Sequence, residues 1–394
     1  MIRFFYFMFF VFILSLNMVN ASIQYALDDF EKKGLYSNFG MVFVDGDSFL
    51  KAGLSPNLVF GLLDFGVDLN LYIPLGDYHA TDKNLDILSI RYLGVNYKDK
   101  HGIKWGHLRN VTLGSGLLMD QYDTGSFGGS EFSMKKGGVL GFASAFGARA
   151  DVLVSAREWL RAGRLSYTFK NTPLVLPVRV GGTVVQDIED IGNSNFNQRP
   201  KQTGYSFDVS LPFAGDLLTA YTEYAELIDQ GKGASVGVRG LFSEVVGYRA
   251  EYRTLGKGFV PGYFGSDYEL TPFDFATDAP SKSLSGFLAS ADLSLMGGYM
   301  KLGAMAEFYG DKKLGSAAFG WQQFRNTVGV INYRIPFQGK KFQEIRSDVL
   351  YLTGGLFDYV VHFKRLYKAS GTYEDFYAFS VRVNLDSLIP GVSF

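Results

Sequence analysis

Apolar and polar positions alternate with a period of two along most of the chain from about residue 57. In residues 64–75, Phe65, Val67, Leu69, Leu71, Ile73 and Leu75 are apolar, with Asp64, Gly66, Asp68 and Asn70 between them. Tyr205, Phe207, Val209, Leu211 and Phe213 repeat the pattern against Gly204, Ser206, Asp208 and Ser210. Val246, Tyr248, Ala250 and Tyr252 do so against Gly247, Arg249, Glu251 and Arg253. The same alternation recurs in residues 300–308, 357–364 and 377–385. Successive side chains of a strand point to opposite faces, so each segment has one apolar and one polar face.

Alternation alone also suits a soluble sandwich, whose apolar faces meet indoors. Three features favour lipid instead. The segments run to ~10 residues or more, where soluble strands usually have ~5–6. The polar faces carry Gly, Ser and full charges at nearly every position, as a wet lumen would. Aromatic residues gather near segment ends, among them Tyr167, Phe169, Phe213, Phe308, Tyr309, Tyr333 and Phe337. Rings of that kind belong at the hydrocarbon–headgroup boundary. The expected fold is all-β, a transmembrane antiparallel β-barrel of roughly 16 strands (about 14–18).

The beginning of the chain reads as an export signal. Arg3 precedes an apolar run over residues 4–16, and Val19 and Ala21 place small residues at a cleavage site. That run is shorter than the ~20 residues that span a bilayer as a helix. The expected organisation is a signal peptide at 1–21, a short periplasmic lead-in at 22–37 and a barrel at 38–394. Turn signals at 213–216, 230–233, 243–244 and 297–298 read as short periplasmic turns. Stretches 188–202, 256–283 and 369–375 read as longer extracellular loops. Residues 85–148 are the least regular and are dense in glycine, including Gly114, Gly116 and Gly141. They are candidates for bulges, for an inward-folded constriction loop, or for strands that the alternation does not place.

Composition narrows the chemistry. The net charge of -1 gives no global field for nucleic acid, and no nucleic-acid module is present. There is no cysteine, which excludes disulfides, thiolate metal sites and Cys nucleophiles. The four histidines, His79, His101, His107 and His362, show no chelating spacing. No Ser lies in a nucleophile elbow, and Gly114-Ser115-Gly116 lacks the Lys and length of a phosphate loop. The sequence points to no enzyme, no metal and no cofactor.

The chain ends in Phe394, after the amphipathic stretch 377–385. With its leader, serial amphipathic strands and lack of cysteine, it resembles bacterial outer-membrane porins. Val392 and Phe394 match the apolar alternation of the family's last strand, while Pro390 and Gly391 depart from it. The resemblance implies that the barrel-assembly machinery reads Phe394 and that outer-membrane lipid and lipopolysaccharide surround the barrel. It implies passage of small polar solutes and admits a homotrimer.

A barrel of that size is too wide for side chains alone to fill, so function follows from the lumen. The inward-face candidates are Arg239, Arg249, Glu251, Arg253, Lys301, Glu307, Arg334, Lys364 and Arg382. With Asp208, Asp292 and Asp358 they would set a field across the pore, with a slight cationic excess. Arg157, Arg161 and Arg164, near Trp159, read first as rim charges facing headgroups, with a constriction ladder or a patch for lipopolysaccharide phosphates as the alternatives. The expected function is a weakly selective channel. The alternatives are a plugged transporter of hydrophobic substrates and an adhesive surface barrel. In the adhesive reading the 256–283 loop binds a partner; its Tyr263, Phe264, Tyr268, Phe273 and Phe275 are candidates to contact a ligand, to fold into the lumen or, preferred on general grounds, to pack among themselves.

Overall fold

In the computed structural model the alternating segments are strands of one closed sheet. The structure describes residues 34–384 except 45–46, 61, 76–87, 98–99, 107, 109–110, 125–136, 156–159, 171–175, 188–190, 195–196, 200, 215–216, 244, 266–267, 269–274, 276–278, 296–299, 310–311, 325–326, 336–343, 353–356 and 368–372. Within strands, some of these residues are described by their backbone alone. Residues 1–21, read as a leader, and Phe394 lie outside the described residues.

The wall begins with β1 (Gly34–Val44), β2 (Asp47–Phe60), β3 (Leu63–Pro74), β4 (Leu88–Tyr97) and β5 (His101–Gly106). A small ribbon follows, β6 (Val111–Leu113) with β7 (Met119–Tyr122), outside the wall sheet. The wall resumes with β8 (Gly138–Ala145), β9 (Ala148–Ser155), β10 (Arg161–Phe169) and β11 (Val178–Gln186). A second ribbon pairs β12 (Ile191–Ser194) with β13 (Asn197–Arg199). Then come β14 (Thr203–Pro212), β15 (Thr219–Leu227), β16 (Gly231–Phe242), β17 (Val246–Leu255) and β18 (Leu284–Leu295). The last wall strands are β19 (Met300–Tyr309), β20 (Lys312–Phe324), β21 (Thr327–Ile335), β22 (Glu344–Leu352), β23 (Phe357–Tyr367) and β24 (Tyr373–Asn384).

Every wall strand pairs antiparallel with its neighbours in chain order, and β24 closes the ring on β1, with Phe39 opposite Val381 and Phe43 opposite Tyr377. Closure removes the open edge that would otherwise leave a row of backbone N–H and C=O groups without partners in lipid. The expected barrel is present, with 20 wall strands among the described residues and not about 16. The count was low because hairpins in the first and last parts of the chain are tight. β1 ends at Val44 and β2 starts at Asp47, and β20 ends at Phe324 before β21 starts at Thr327. Length assigned to loops belongs to strands. β1 also begins inside the segment read as a lead-in.

The alternation has the expected sense. Leu165 (65% exposed), Phe207 (61%), Phe287 (61%) and Val236 (57%) point outward. Ser166, Ser206, Ser235 and Glu251, one step out of phase, are buried within. Apolar side chains exposed in a continuous band are stable only against hydrocarbon, and the buried polar face marks the inside. The chain is a transmembrane antiparallel β-barrel.

The connections after β3, β5, β11 and β17 are the long ones, and strand alternation puts all four at one end. Gly34 and Asn384 lie at the other end, as do the ends of β14, β16 and β18 and the starts of β15, β17 and β19. The turn at 228–230, read as periplasmic, belongs to the long-loop end, because β15 runs opposite to β14.

Candidate functional site

The connection between β5 and β8 folds into the barrel. Its base is closed where the Leu108 N–H donates to Thr124 Oγ1 (3.0 Å) and the Thr124 N–H donates to the Leu108 carbonyl (3.0 Å). From there β6 and β7 carry the chain inward to a turn over residues 114–118. Gly114 (φ 83°) and Gly116 (φ 93°) supply left-handed backbone that a side chain would resist. A Cβ on Gly114 would also come within 2.7 Å of Glu223 Oε1. This is the inward-folded loop expected in the glycine-dense region.

Two wall residues hold the turn. Glu223, in the middle of β15, accepts N–H bonds on Oε2 from Ser115 (2.9 Å) and Leu117 (3.0 Å). Arg249, on β17, donates from Nη2 to the Ser115 carbonyl (2.7 Å) and pairs through Nη1 with Asp120 Oδ2 (3.4 Å). Asp120 is itself held by the Thr112 hydroxyl (2.9 Å). The loop thus reaches from the long-loop end to the middle of the wall.

The 256–283 connection locks over it. The Gly262 N–H donates to the Leu117 carbonyl (2.8 Å), and the Phe264 N–H to the Leu118 carbonyl (3.3 Å). Tyr263, Phe264, Tyr268 and Phe275 fold into the lumen, where their rings pack 5.0–5.5 Å apart. Phe273 lies outside the described residues. Leu117, Leu118, Met119 and Tyr122 join these rings in one apolar cluster, against inward Leu153, Val185, Leu227 and Leu255 of the wall. The Tyr268 hydroxyl reaches Asp187 at 2.6 Å. The inward face is therefore apolar near the long-loop end and charged towards the middle.

Of the sequence candidates, four meet in one network. Glu251 accepts from Arg249 Nε and from Arg253 Nε, each at 2.5 Å. Arg253 also reaches Glu307 Oε2 (3.3 Å) and the Tyr309 hydroxyl (3.3 Å), and that hydroxyl donates to Glu307 (2.8 Å). The Tyr221 hydroxyl donates to Glu251, and the Arg239 guanidinium lies 5.2 Å from the Tyr221 ring centre. The charges alternate along the inward face of β17, Arg249, Glu251 and Arg253, and Glu307 faces Arg253 from across β18, so each cation is neutralised locally. Lys301, Arg334, Lys364 and Arg382 occupy wall positions on β19, β21, β23 and β24, with Arg382 in register with Asp358. Only the backbone is described there.

The arginines read as a rim cluster divide. Arg164 points inward and forms a two-pronged pair with Asp208 (2.5 and 2.9 Å), while Arg161 is exposed on the other face. Positions three apart on a strand face opposite ways. Arg157 and Trp159 lie outside the described residues. Glu223, Tyr221 and Asp120 were not singled out from sequence, and Tyr309, expected among the boundary rings, is buried on the inner face. Among the described residues no group of His, Asp or Glu is arranged to hold a metal.

No protein-family model matches the chain, and no curated protein matches it. Solved structures similar to it include an outer-membrane protein and a porin. OccAB3 of Acinetobacter baumannii is 12% identical, over 89% of this chain and 97% of that one, with a TM-score of 0.36. OpdK of Pseudomonas aeruginosa is 10% identical, over 89% and 97%, with a TM-score of 0.36. A mutant of the Rh. blastica porin is 11% identical, over 89% and 99%, with a TM-score of 0.33. These superpositions are loose, and the barrel assignment rests on the strand pairing and on the apolar exterior.

Proposed function

We propose that this protein is an outer-membrane channel through which small hydrophilic solutes diffuse with weak selectivity. The supporting observation is the latch between the 114–120 turn and Glu223 and Arg249, inside a closed wall with a polar inner face. Such a loop narrows the lumen at a fixed height and leaves the wall intact. In this reading the long loops face outside, both ends of the barrel chain face the periplasm, and residues 1–21 are removed on export. Weak selectivity follows from the pairing. Arg249 and Arg253 together balance Glu251 and Glu307, while Arg239 keeps some exposure and gives a slight preference for anions.

Ion conductance of the purified, refolded protein in planar bilayers tests this. Discrete steady steps support it. A protein that shows heat-modifiable migration, and is therefore folded, yet carries no current would refute it.

A plugged transporter would be expected to carry a separate N-terminal plug. Among the described residues the inward elements are the connections after β5 and β17, which favours the channel.

A further inference from the structure

The turn between β8 and β9 has a residue in the wrong conformation for its type. Phe146 (φ 52°) and Gly147 (φ 86°) are both left-handed, the geometry of a tight hairpin that favours Asn-Gly. Gly147 suits its place, since a Cβ there would approach the Thr168 carbonyl at 3.0 Å. A bulky aromatic at positive φ is an outlier. Phe146 is also 99% exposed, so no described part of the protein covers the ring. Strain and exposure to water would both disfavour Phe here, unless something outside the chain receives it.

The surroundings indicate what does. At the same end, Tyr167 and Phe169 face outward in an edge-to-face pair, 4.6 Å between ring centres. The Tyr167 ring lies against Gly147. The next hairpins of this sector carry exposed Phe213 and Phe242 in or beside their turns. These residues continue the lipid-facing band down to the turn tips. Exposed Lys170 follows Phe169 and adds a cation suited to a lipid phosphate.

We propose that the β8–β9 turn is a membrane anchor, with Phe146 inserted at the headgroup–acyl boundary of the phospholipid leaflet at the short-turn end. The barrel would then sit deep on this sector, with its turns in the interface and not in free water. The proposal rests on the membrane embedding of the barrel and not on conduction.

Because the chain has no cysteine, single nitroxide labels can be placed at will. Phe146→Cys, Val152→Cys and Asp229→Cys would be labelled and folded into vesicles of phosphatidylethanolamine and phosphatidylglycerol. Accessibility to oxygen and to a water-soluble nickel chelate would then be compared by power saturation. Position 152 reports the lipid-facing wall, and 229 an exposed turn at the other end. The expected oxygen-to-nickel ratio at 146 approaches that at 152 and exceeds that at 229 on the order of fivefold. A ratio at 146 equal to that at 229, with 152 still in lipid, overturns the anchor. An aqueous ratio at 152 as well would overturn the embedding itself. If Phe146→Cys does not fold, Phe146→Trp with brominated lipids decides the same question. Strong quenching beyond that of the unsubstituted protein supports the anchor, and its absence overturns it.

Discussion

Arg249 donates to the main-chain carbonyl of Ser115 at 2.7 Å, joining the wall of the barrel to the tip of a loop 134 positions away in sequence. The guanidinium also serves Asp120 and Glu251, so one side chain couples the inner loop to the charged wall. Removing it affects both. Arg249→Ala leaves Glu251 with Arg253 as its remaining ionic partner and frees the Ser115 carbonyl. The expected cost is about 3 kcal/mol, as for breaking a buried pair. Guanidinium unfolding of the folded barrel would measure it. Channel recordings should show larger or noisier steps as the loop loosens.

Glu223 acts through acceptor oxygens, and its substitutions should separate by chemistry. Glu223→Gln keeps a carbonyl oxygen for the Ser115 and Leu117 N–H groups and should retain the latch. Glu223→Ala orphans both donors, at about 1–3 kcal/mol each. Limited proteolysis within the 111–122 loop reports this directly. Cleavage should accelerate in the Ala variant and stay near wild type in the Gln variant.

Gly114→Val should disturb the latch without touching either wall residue. It combines an unfavourable φ with a clash against Glu223. The expected readout is the same protease sensitivity as in Glu223→Ala, with the barrel's heat-modifiable migration retained.

The lipid face is tested by charge. Leu165→Arg puts a cation on one of the most exposed outward positions and should destabilise the folded barrel by about 2–4 kcal/mol if that position lies near the bilayer midplane. Ser166→Arg, one residue on but inward, should cost less in folding and alter conductance instead. Equal destabilisation of the two would contradict the assigned faces.

Much of this architecture is legible in the residue order, because a barrel wall has one apolar and one polar face and the period of two exposes both. Arg249, Glu251 and Arg253 could be placed on the inner face for that reason. Glu223 could not. In β15 the inward Tyr221 and Glu223 alternate with outward Tyr224 and Glu226, and the outward carboxylate is held by Tyr205 and Tyr224 (2.7 and 2.8 Å), so the faces lack contrast. The glycines at 114 and 116 marked an irregular loop but not its partners, since the contacts are closed by residues more than a hundred positions away. The pairing of opposite charges two strands apart, Arg164 with Asp208 and Arg253 with Glu307, was hidden too. Sequence lists the cations and anions of a face, while register decides which of them touch.

Single-channel conductance of the wild type and of a variant with residues 112–121 replaced by a short glycine linker tests the central claim most directly. A channel narrowed by a latched loop gives small steady steps in the wild type and clearly larger ones in the variant. Folded protein that conducts identically with and without the loop, or not at all in either form, would contradict it.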